Sequence, residues 1–230
     1  MKVRNLHPWK VDPATARRIQ ESLRDKLVLK PGKSFHPRLI AAADAAYAEA
    51  RTRVVAAVSV AALPGLELVE QVVASCPISF PYLPGLLTFR EGPALLKAIF
   101  KLKSDVDLFL FDGQGIAHPC GLGLASHLGV ILDVPTIGCA KSKLVGNYQT
   151  PADVRGAYTP LIYRDTVVGA ALRSRPKVKP IFVSPGHRID LESAIKITTS
   201  CLTRYRIPEP LRRAHMLAGL EKAGGVGKTL

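Results

Sequence analysis

Three acidic residues stand in surroundings where carboxylates are uncommon unless they do chemistry. Asp44 is the one charged residue in the run LIAAADAAY. Glu91 lies in FREGP, and Asp112 follows the apolar run LFLF. A buried carboxylate is costly unless it is paired or bound to a metal. Three converging carboxylates would form a hard oxygen site suited to Mg²⁺ or Mn²⁺. The alternative is that two of these acids face solvent and the third caps a helix.

Asp112 also opens a glycine-rich segment, DGQGIAHPCGLG, that contains Gly113, Gly115 and His118. In open α/β sheets, binding sites form at the carboxyl ends of such strands. Glycines allow a ligand to approach the backbone closely. The alternative is an ordinary strand–loop–helix connection in which Asp112 is a solvated N-cap.

Tyr82 is held between two prolines in the segment PYLP. Prolines fix φ and stiffen a loop, and a rigid side chain on such a loop can act as a wedge in a base stack. The alternative is a tyrosine that packs beneath the loop.

Lysines and histidines supply the remaining candidates. Lys141 and Lys143 follow a second apolar run, where a lysine can meet a phosphate or simply end a solvated strand. His118 and His187 lie in glycine-containing turns, whereas His127 falls in a predicted helix and is interpreted as structural. The other histidines carry no readable context: His7, His36 and His215.

The charge balance points to a polyanionic partner. The chain has 32 Lys+Arg against 18 Asp+Glu, a formal net charge of +14. Neutralising phosphates with such cations releases counterions and favours binding. The basic residues form several separate groups, among them RSRPKVK at 173–179. Each group could instead be a solvated face.

The sequence predicts a cytoplasmic protein without membrane segments. Its four cysteines show no CxxC spacing, so neither a zinc site nor a disulfide framework is expected. The start, MKVRNLHPWK, lacks the apolar region of a signal peptide, and no run is long enough to span a membrane. The tail GGVGKTL resembles a phosphate-binding loop but lacks its first glycine and a following helix, so we reject that reading.

The chain reads as one domain, 1–230, with a mixed α/β sheet flanked by helices. An antiparallel meander is expected first, followed by alternating strands and helices; Leu39–Tyr47 is ambiguous, and Phe80–Gly92 reads as a loop. The predicted strands are Arg53–Leu63, Leu66–Cys76, Asp107–Asp112, Val134–Cys139, Thr166–Leu172 and Pro180–Ser184. The predicted helices are Pro13–Leu27, Pro93–Lys103, Gly123–Leu132, Leu191–Tyr205 and Pro210–Ala223.

Taken together, these segments resemble the endonuclease V family of deoxyinosine-specific nucleases. The matching stretches, in the family's order, are FPYLPGLLTFREGPALL, DLFLFDGQGIAHPCGLGLASHLGVILDVPTIGCAKSKLVG and FVSPGHRIDLESA, with Asp44 ahead of them. The resemblance covers roughly residues 39–210. It implies a ribonuclease-H-like fold and Mg²⁺-dependent cleavage (Mn²⁺ substituting) of the second phosphodiester bond 3′ to a deaminated base in DNA, with no obligate protein partner.

The resemblance also implies residue roles. Asp44, Glu91 and Asp112 correspond to the catalytic, metal-binding carboxylates, Lys141 to the active-site lysine, and His187 to a histidine close to the metal centre. The wedge corresponds to Tyr82, which lies in the segment PYLP together with Pro81, Leu83 and Pro84. The lesion pocket corresponds to Gly85, Leu87, Gly113, Gly115, His118 and Gly123.

Three positions depart from the family pattern: Gln114 where histidine or asparagine is common, Cys120 where a basic residue is common, and Ala42 where glycine is usual. These departures bear on substrate preference and leave the reaction class intact. Two alternative functions stay open. One is an inosine-specific endoribonuclease, and the other is a catalytically silent nucleic-acid-binding protein on the same fold.

Overall fold

A computed structural model describes residues 5–32, 35–48, 50 and 52–223. The tail GGVGKTL therefore lies outside the described residues. One eight-stranded sheet has the order β3-β2-β1-β4-β5-β8-β7-β6. The strands are β1 (Leu39–Ala48), β2 (Arg53–Ala62), β3 (Glu67–Pro77), β4 (Leu108–Phe111), β5 (Thr136–Ala140), β6 (Tyr158–Tyr163), β7 (Thr166–Leu172) and β8 (Ile181–His187). The helices are α1 (Pro13–Arg24), α2 (Leu87–Ile99), α3 (Leu124–Leu132), α4 (Leu191–Ser200) and α5 (Glu209–Lys222).

The first three strands form the predicted antiparallel meander. β1 pairs with β2 and β2 with β3, both antiparallel. The ambiguous segment at Leu39–Tyr47 is a strand, although alanines dominate it. Alanine is a good helix former. Here, however, β1 lies between β2 and β4 with helices on both faces of the sheet, and Ile40 and its alanine neighbours are buried, so tertiary context overrides propensity.

The centre of the sheet is parallel. β4 pairs with β1 and with β5 in parallel, and β8 then returns antiparallel to β5. The carboxyl ends of β4 and β5 therefore meet at one edge, because parallel neighbours end on the same side. The mixed sheet with flanking helices confirms the predicted ribonuclease-H-like architecture.

Helices cover both faces of the sheet. On one face, α2 and α3 pack with Leu95, Ile99 and Leu128 against Phe109 and Phe111. On the other face, α4 and α5 cover the opposite side chains of the same strands. These include Ile40, Ala42, Leu108, Leu110, Ile137, Cys139, Ile195 and Leu211. Side chains along a strand alternate between faces. A residue two positions after a member of this second set therefore points to the same face, the one covered by α4 and α5.

Several predictions of helix and strand bounds were wrong. Helix α2 begins at Leu87, within the predicted loop, and Pro93 lies inside the helix rather than at its start. Proline removes one helical hydrogen bond, but Phe89 and Leu95 on either side of it are buried, and their packing holds the helix. Strand β6 was missed, since its alternation is interrupted by Pro160. The predicted helix ends Leu27, Lys103 and Tyr205 also extend beyond the observed ends of α1, α2 and α4.

None of the helices in the described residues combines the length and apolar character needed to cross a bilayer.

Close backbone packing at the centre of the sheet gives a stability prediction. A Cβ at Gly138 of β5 would lie 2.3 Å from the amide nitrogen of Gly115 and 2.7 Å from the carbonyl oxygen of Gly113. We expect Gly138→Ala to lower the free energy of unfolding by about 1–3 kcal/mol or more, as overpacking does. Denaturant unfolding measures this value.

The control is Gly219→Ala on the exposed face of α5, where an added Cβ meets no atom of the described residues within 4 Å. Removing a glycine from a helix interior should raise stability by roughly 0.8–1 kcal/mol. Equal stability of the two variants would show that the backbone around Gly138 can move apart.

Candidate active site

Two carboxylates meet where β1 passes the end of β4. Ala43 is the partner of Phe111 in the parallel register, and the amide of Asp112 donates to the carbonyl of Ala43 at 3.1 Å. Asp44 and Asp112 are therefore the next residues on adjacent strands. Each lies two residues after a side chain of the face covered by α4 and α5, namely Ala42 on β1 and Leu110 on β4, and so points to that same face.

A lysine and a histidine complete this group. Lys141, directly after β5, forms a short ion pair with the Oδ2 atom of Asp112. His215 of α5 contacts Asp44, with Nδ1 2.6 Å from Oδ2, and the same Nδ1 lies 3.4 Å from the Nζ atom of Lys141. The middle of β1, the ends of β4 and β5 and one turn of α5 thus converge on a single point.

The group has the composition of a divalent-cation site. One ligand atom each from Asp44, Asp112 and His215 lies within 4.8 Å of the others. Two carboxylates and an imidazole are donors that Mg²⁺ and Mn²⁺ accept. The two carboxylates are mostly buried, whereas His215 is largely exposed. The residues present therefore fit a bound cation that is open to solvent on one side.

Glu91 approaches the same centre from the other face of the sheet. It lies in α2, and the hydroxyl of Tyr47 donates a hydrogen bond to its Oε1 atom at 2.6 Å. The pKa of Glu91 is raised to about 7, chiefly by burial and also by the negative charges of Asp44 and Asp112, against the lowering effect of the hydrogen bond from Tyr47. Glu91 is thus electrostatically coupled to the two aspartates, although it is not part of the close trio.

Negative charge accumulates at this edge of the sheet. Burial, and then the neighbouring Asp44, raise the pKa of Asp112 despite its contact with Lys141. Burial alone would lower the pKa of Lys141, but Asp112 outweighs it and the net direction is upward. Lys141 therefore stays charged. A cation placed among these carboxylates would relieve their mutual repulsion.

A cavity of about 370 Å³ opens beside the acidic group and shares Asp112 and Lys141 with it. Three segments form its walls: the loop between β3 and α2, the glycine-rich segment after β4, and the segment that follows β5. The residues around it include Tyr82, Leu83, Pro84, Gly85, Leu87, Gly113, Gln114, His118, Ser142 and Lys143. Most of the sequence-predicted pocket residues therefore do line one cavity next to the candidate metal centre.

His118 and Tyr82 occupy contrasting positions in this cavity. His118 is buried, and burial lowers its pKa to about 4 against a hydrogen bond to Gly85. Its ring is therefore neutral at physiological pH. Tyr82 is 67% exposed, so the alternative in which it packs beneath the loop is wrong.

Three residues predicted for the base-binding region lie elsewhere. Gly115 and Gly123 are absent from the cavity wall within the described chain, as is Pro81. A Cβ at Gly115 would lie 2.0 Å from the carbonyl oxygen of Pro185, and one at Gly123 would lie 2.4 Å from that of Gln114. These two glycines let the loop pack against backbone and so shape the cavity indirectly.

The expectation that His187 lies close to the metal centre is wrong. Strand β8 runs antiparallel to β5, so His187 pairs with Thr136 at the start of β5. Lys141 lies at the opposite end of the same strand. The Nδ1 atom of His187 accepts from the amide of Val28 at 3.3 Å, and its Nε2 atom lies 3.4 Å from Asp133.

The histidine at the centre is instead His215, which the sequence did not reveal. It lies in RRAHMLAGL on α5, in the middle of a helix and away from any strand end or glycine-rich turn that would mark it. Only the packing of α5 over β1 brings it to Asp44. The predicted structural role of His127 agrees with its burial, and its Nε2 atom lies 2.8 Å from that of His7.

Comparisons with known proteins agree with this geometry. The family model for endonuclease V matches residues 21–216. An endonuclease V from Alkalilimnicola ehrlichii is 48% identical over 223 residues, which cover 97% of this chain and 98% of the relative. The crystal structure of endonuclease V from Streptomyces avermitilis superposes with a TM-score of 0.88 at 42% identity, covering 94% of this chain and 96% of that one.

A further similar structure contains a nucleic acid. Endonuclease V from Ciona intestinalis was solved in complex with a 24mer DNA containing an inosine followed by a ribo-adenosine. It has a TM-score of 0.78 and 30% identity, covering 92% of this chain and 98% of that one. The sheet with its acidic group thus belongs to a nuclease. The chain is a member of the endonuclease V family.

The raised pKa of Glu91 gives a stability prediction for the metal-free protein. In the unfolded chain Glu91 ionises near its ordinary 4.5, but in the folded chain it holds its proton to about 7. Between these values the folded state binds the extra proton, so its stability falls as pH rises. We expect Glu91→Gln to be more stable than the unaltered protein at pH 8 and nearly equal to it at pH 4.5.

Urea unfolding at the two pH values, with a chelator present, measures the difference. Glu21→Gln on the exposed surface of α1 removes the same charge without burial and should show no such pH dependence. If both variants respond alike to pH, burial of Glu91 is not the cause.

Proposed function

We propose that the protein is a metal-dependent DNA-repair endonuclease that cleaves the second phosphodiester bond 3′ to deoxyinosine and related deaminated bases, leaving 3′-hydroxyl and 5′-phosphate ends. One observation carries this proposal. The cavity is lined by the same Asp112 and Lys141 that belong to the acidic group. When a base occupies the cavity, a nearby phosphate of the same strand would therefore lie beside the acidic group that cleaves the phosphodiester bond.

The cation-binding residues are Asp44 and Asp112, joined by His215, with Glu91 completing the negative charge around them. Mg²⁺ suits these donors, and Mn²⁺ can substitute. When bound, such an ion polarises a phosphate and lowers the pKa of an attacking water. The positive charge of Lys141, beside Asp112, holds a phosphate oxygen at the centre.

The cavity receives a base that has left the stack, since a base inside a duplex can enter an enclosed pocket only when its nucleotide is extruded. Gly85, Leu87 and Gly113 present backbone to the base edge. The neutral ring of His118 adds a wall without a fixed charge. Tyr82 is exposed on a proline-stiffened loop at the rim, where it can fill the space that the base leaves.

The inosine-containing DNA bound by the Ciona relative supports the same substrate class for this chain. The silent binding protein is disfavoured, because Asp44, Asp112, Glu91 and Lys141 are all present around one point. An inosine-containing RNA strand is the alternative substrate, and the assay below compares it directly.

The test is a single-turnover nicking assay on a 5′-labelled duplex with one deoxyinosine, with and without Mg²⁺, and on the matching RNA. We expect a nick one nucleotide beyond the 3′ phosphate of the lesion, dependent on the ion. Asp44→Ala and Asp112→Ala should each lower the rate on the order of a thousandfold while leaving inosine-DNA binding largely intact, because each removes a metal ligand and leaves the other residues of the cavity wall in place.

Asp105→Ala, on the exposed surface at the other edge of the sheet, is the matched control and should nick normally. Near-normal nicking by either site variant would refute the carboxylate assignment. Release of a free base, or breaks scattered around the inosine, would refute the reaction itself.

Tyr82→Ala should reduce the discrimination between inosine-containing and normal duplex more than it reduces nonspecific binding. A lost aromatic–base contact removes roughly 1–3 kcal/mol, or about 5- to 150-fold in relative affinity. Competition binding with the two duplexes measures it. Tyr158→Ala, which removes another exposed aromatic on β6, serves as control. Unchanged discrimination in the Tyr82 variant would remove that residue from recognition.

A further inference from the structure

A basic groove adjoins the base cavity. It encloses about 580 Å³ and shares Lys141, Ser142 and Lys143 with the cavity. No acidic residue lies among the described residues that line it. Its cationic lining residues are Lys141, Lys143, Arg173, Lys177, Lys179 and Arg206.

The loop between β7 and β8, residues 173–180, forms one wall and is held in a fixed shape from beneath. Arg173 is buried, and its guanidinium donates to the carbonyls of Val178 and, at 3.0 Å, Pro151. It also pairs with Asp153 at 3.5 Å, and Asp153 accepts from the backbone amide of Lys177 at 2.8 Å. These contacts fix the backbone of this loop, so its exposed basic side chains start from a defined position.

Arg206 fastens the groove to the catalytic edge of the sheet. Its guanidinium donates to the carbonyls of Lys141 at 2.6 Å and Lys179 at 2.9 Å. Because these contacts occupy Arg173 and Arg206, the side chains left to meet a ligand are the exposed Lys177 and Lys179, with Lys143 at the junction. Lysines present point charges on flexible stems, which suit phosphates without reading sequence.

We propose that this groove binds the phosphodiester backbone of the substrate strand on the 3′ side of the recognised base. The inference rests on the proposed function and adds the path of the strand. Lys141 belongs to the base cavity, to the acidic group and to the groove. If the base enters the cavity and the bond 3′ to it is cut at Lys141, the strand leaves through the groove.

The test is the double variant Lys177→Ala/Lys179→Ala in the full chain, with an inosine-containing DNA duplex as ligand. Each lysine–phosphate contact adds about one to the slope of log affinity against log salt. We expect that slope to fall by about two, with the single-turnover nicking rate unchanged at saturating enzyme. The control Lys103→Ala/Lys196→Ala removes two exposed lysines elsewhere and should leave the slope unchanged.

The side of the strand is tested by shortening the ligand. When the 3′ flank ends just beyond the cleavage position, the double variant and the unaltered protein should bind equally, whereas shortening the 5′ flank should preserve their difference. An unchanged salt slope overturns the groove as a binding surface, and convergence on 5′ shortening overturns its direction. The nick made by the unaltered protein in the same assay tests the proposed function separately.

Discussion

The structure depends on keeping several carboxylates close together at one edge of a sheet. The parallel register of β1 and β4 sets Asp44 beside Asp112, and burial raises the pKa of Asp112 and of Glu91. Like charges at this spacing repel strongly in a partly desolvated site. Lys141 neutralises part of this charge, and His215 contacts Asp44. The negative charge that remains favours a divalent cation at this edge, and a bound cation would in turn favour a phosphate there.

Side-chain alternation decides which residues can join that centre. Ala42 and Asp44, Leu110 and Asp112, and Cys139 and Lys141 each lie two residues apart, so all three functional side chains follow core residues of the face covered by α4 and α5. That geometry makes His215 of α5 their neighbour. Glu91 belongs to α2 on the opposite face, and it reaches the aspartates through their field rather than by contact.

Much of this arrangement could be predicted from local signals, and the rest could not. Short-range sequence patterns predict the meander and the apolar strand that leads to Asp112. They also show that Asp44 is isolated among uncharged residues. His215 carries no such pattern, because its role arises from where α5 packs. His187 was misplaced for another reason: its role near the metal centre came only from the family resemblance of its segment, and the antiparallel return of β8 carries it to the start of β5, at the opposite end of the strand from Lys141. Strand direction and helix docking are tertiary properties, and a single sequence shows them weakly.

An acidic catalytic centre must still attract a polyanion, and the distribution of charge resolves this conflict. Buried carboxylates are few among the described residues, and Asp44, Glu91 and the mostly buried Asp112 lie near one point, whereas the 32 Lys+Arg, which outnumber the 18 Asp+Glu, lie mainly on the surface. A phosphate backbone therefore meets a positive field at long range, and it meets the carboxylates only at the phosphate beside Lys141. Since a bound cation would offset the negative charge of the carboxylates, it would remove their repulsion of that phosphate, while the rest of the strand meets the basic surface.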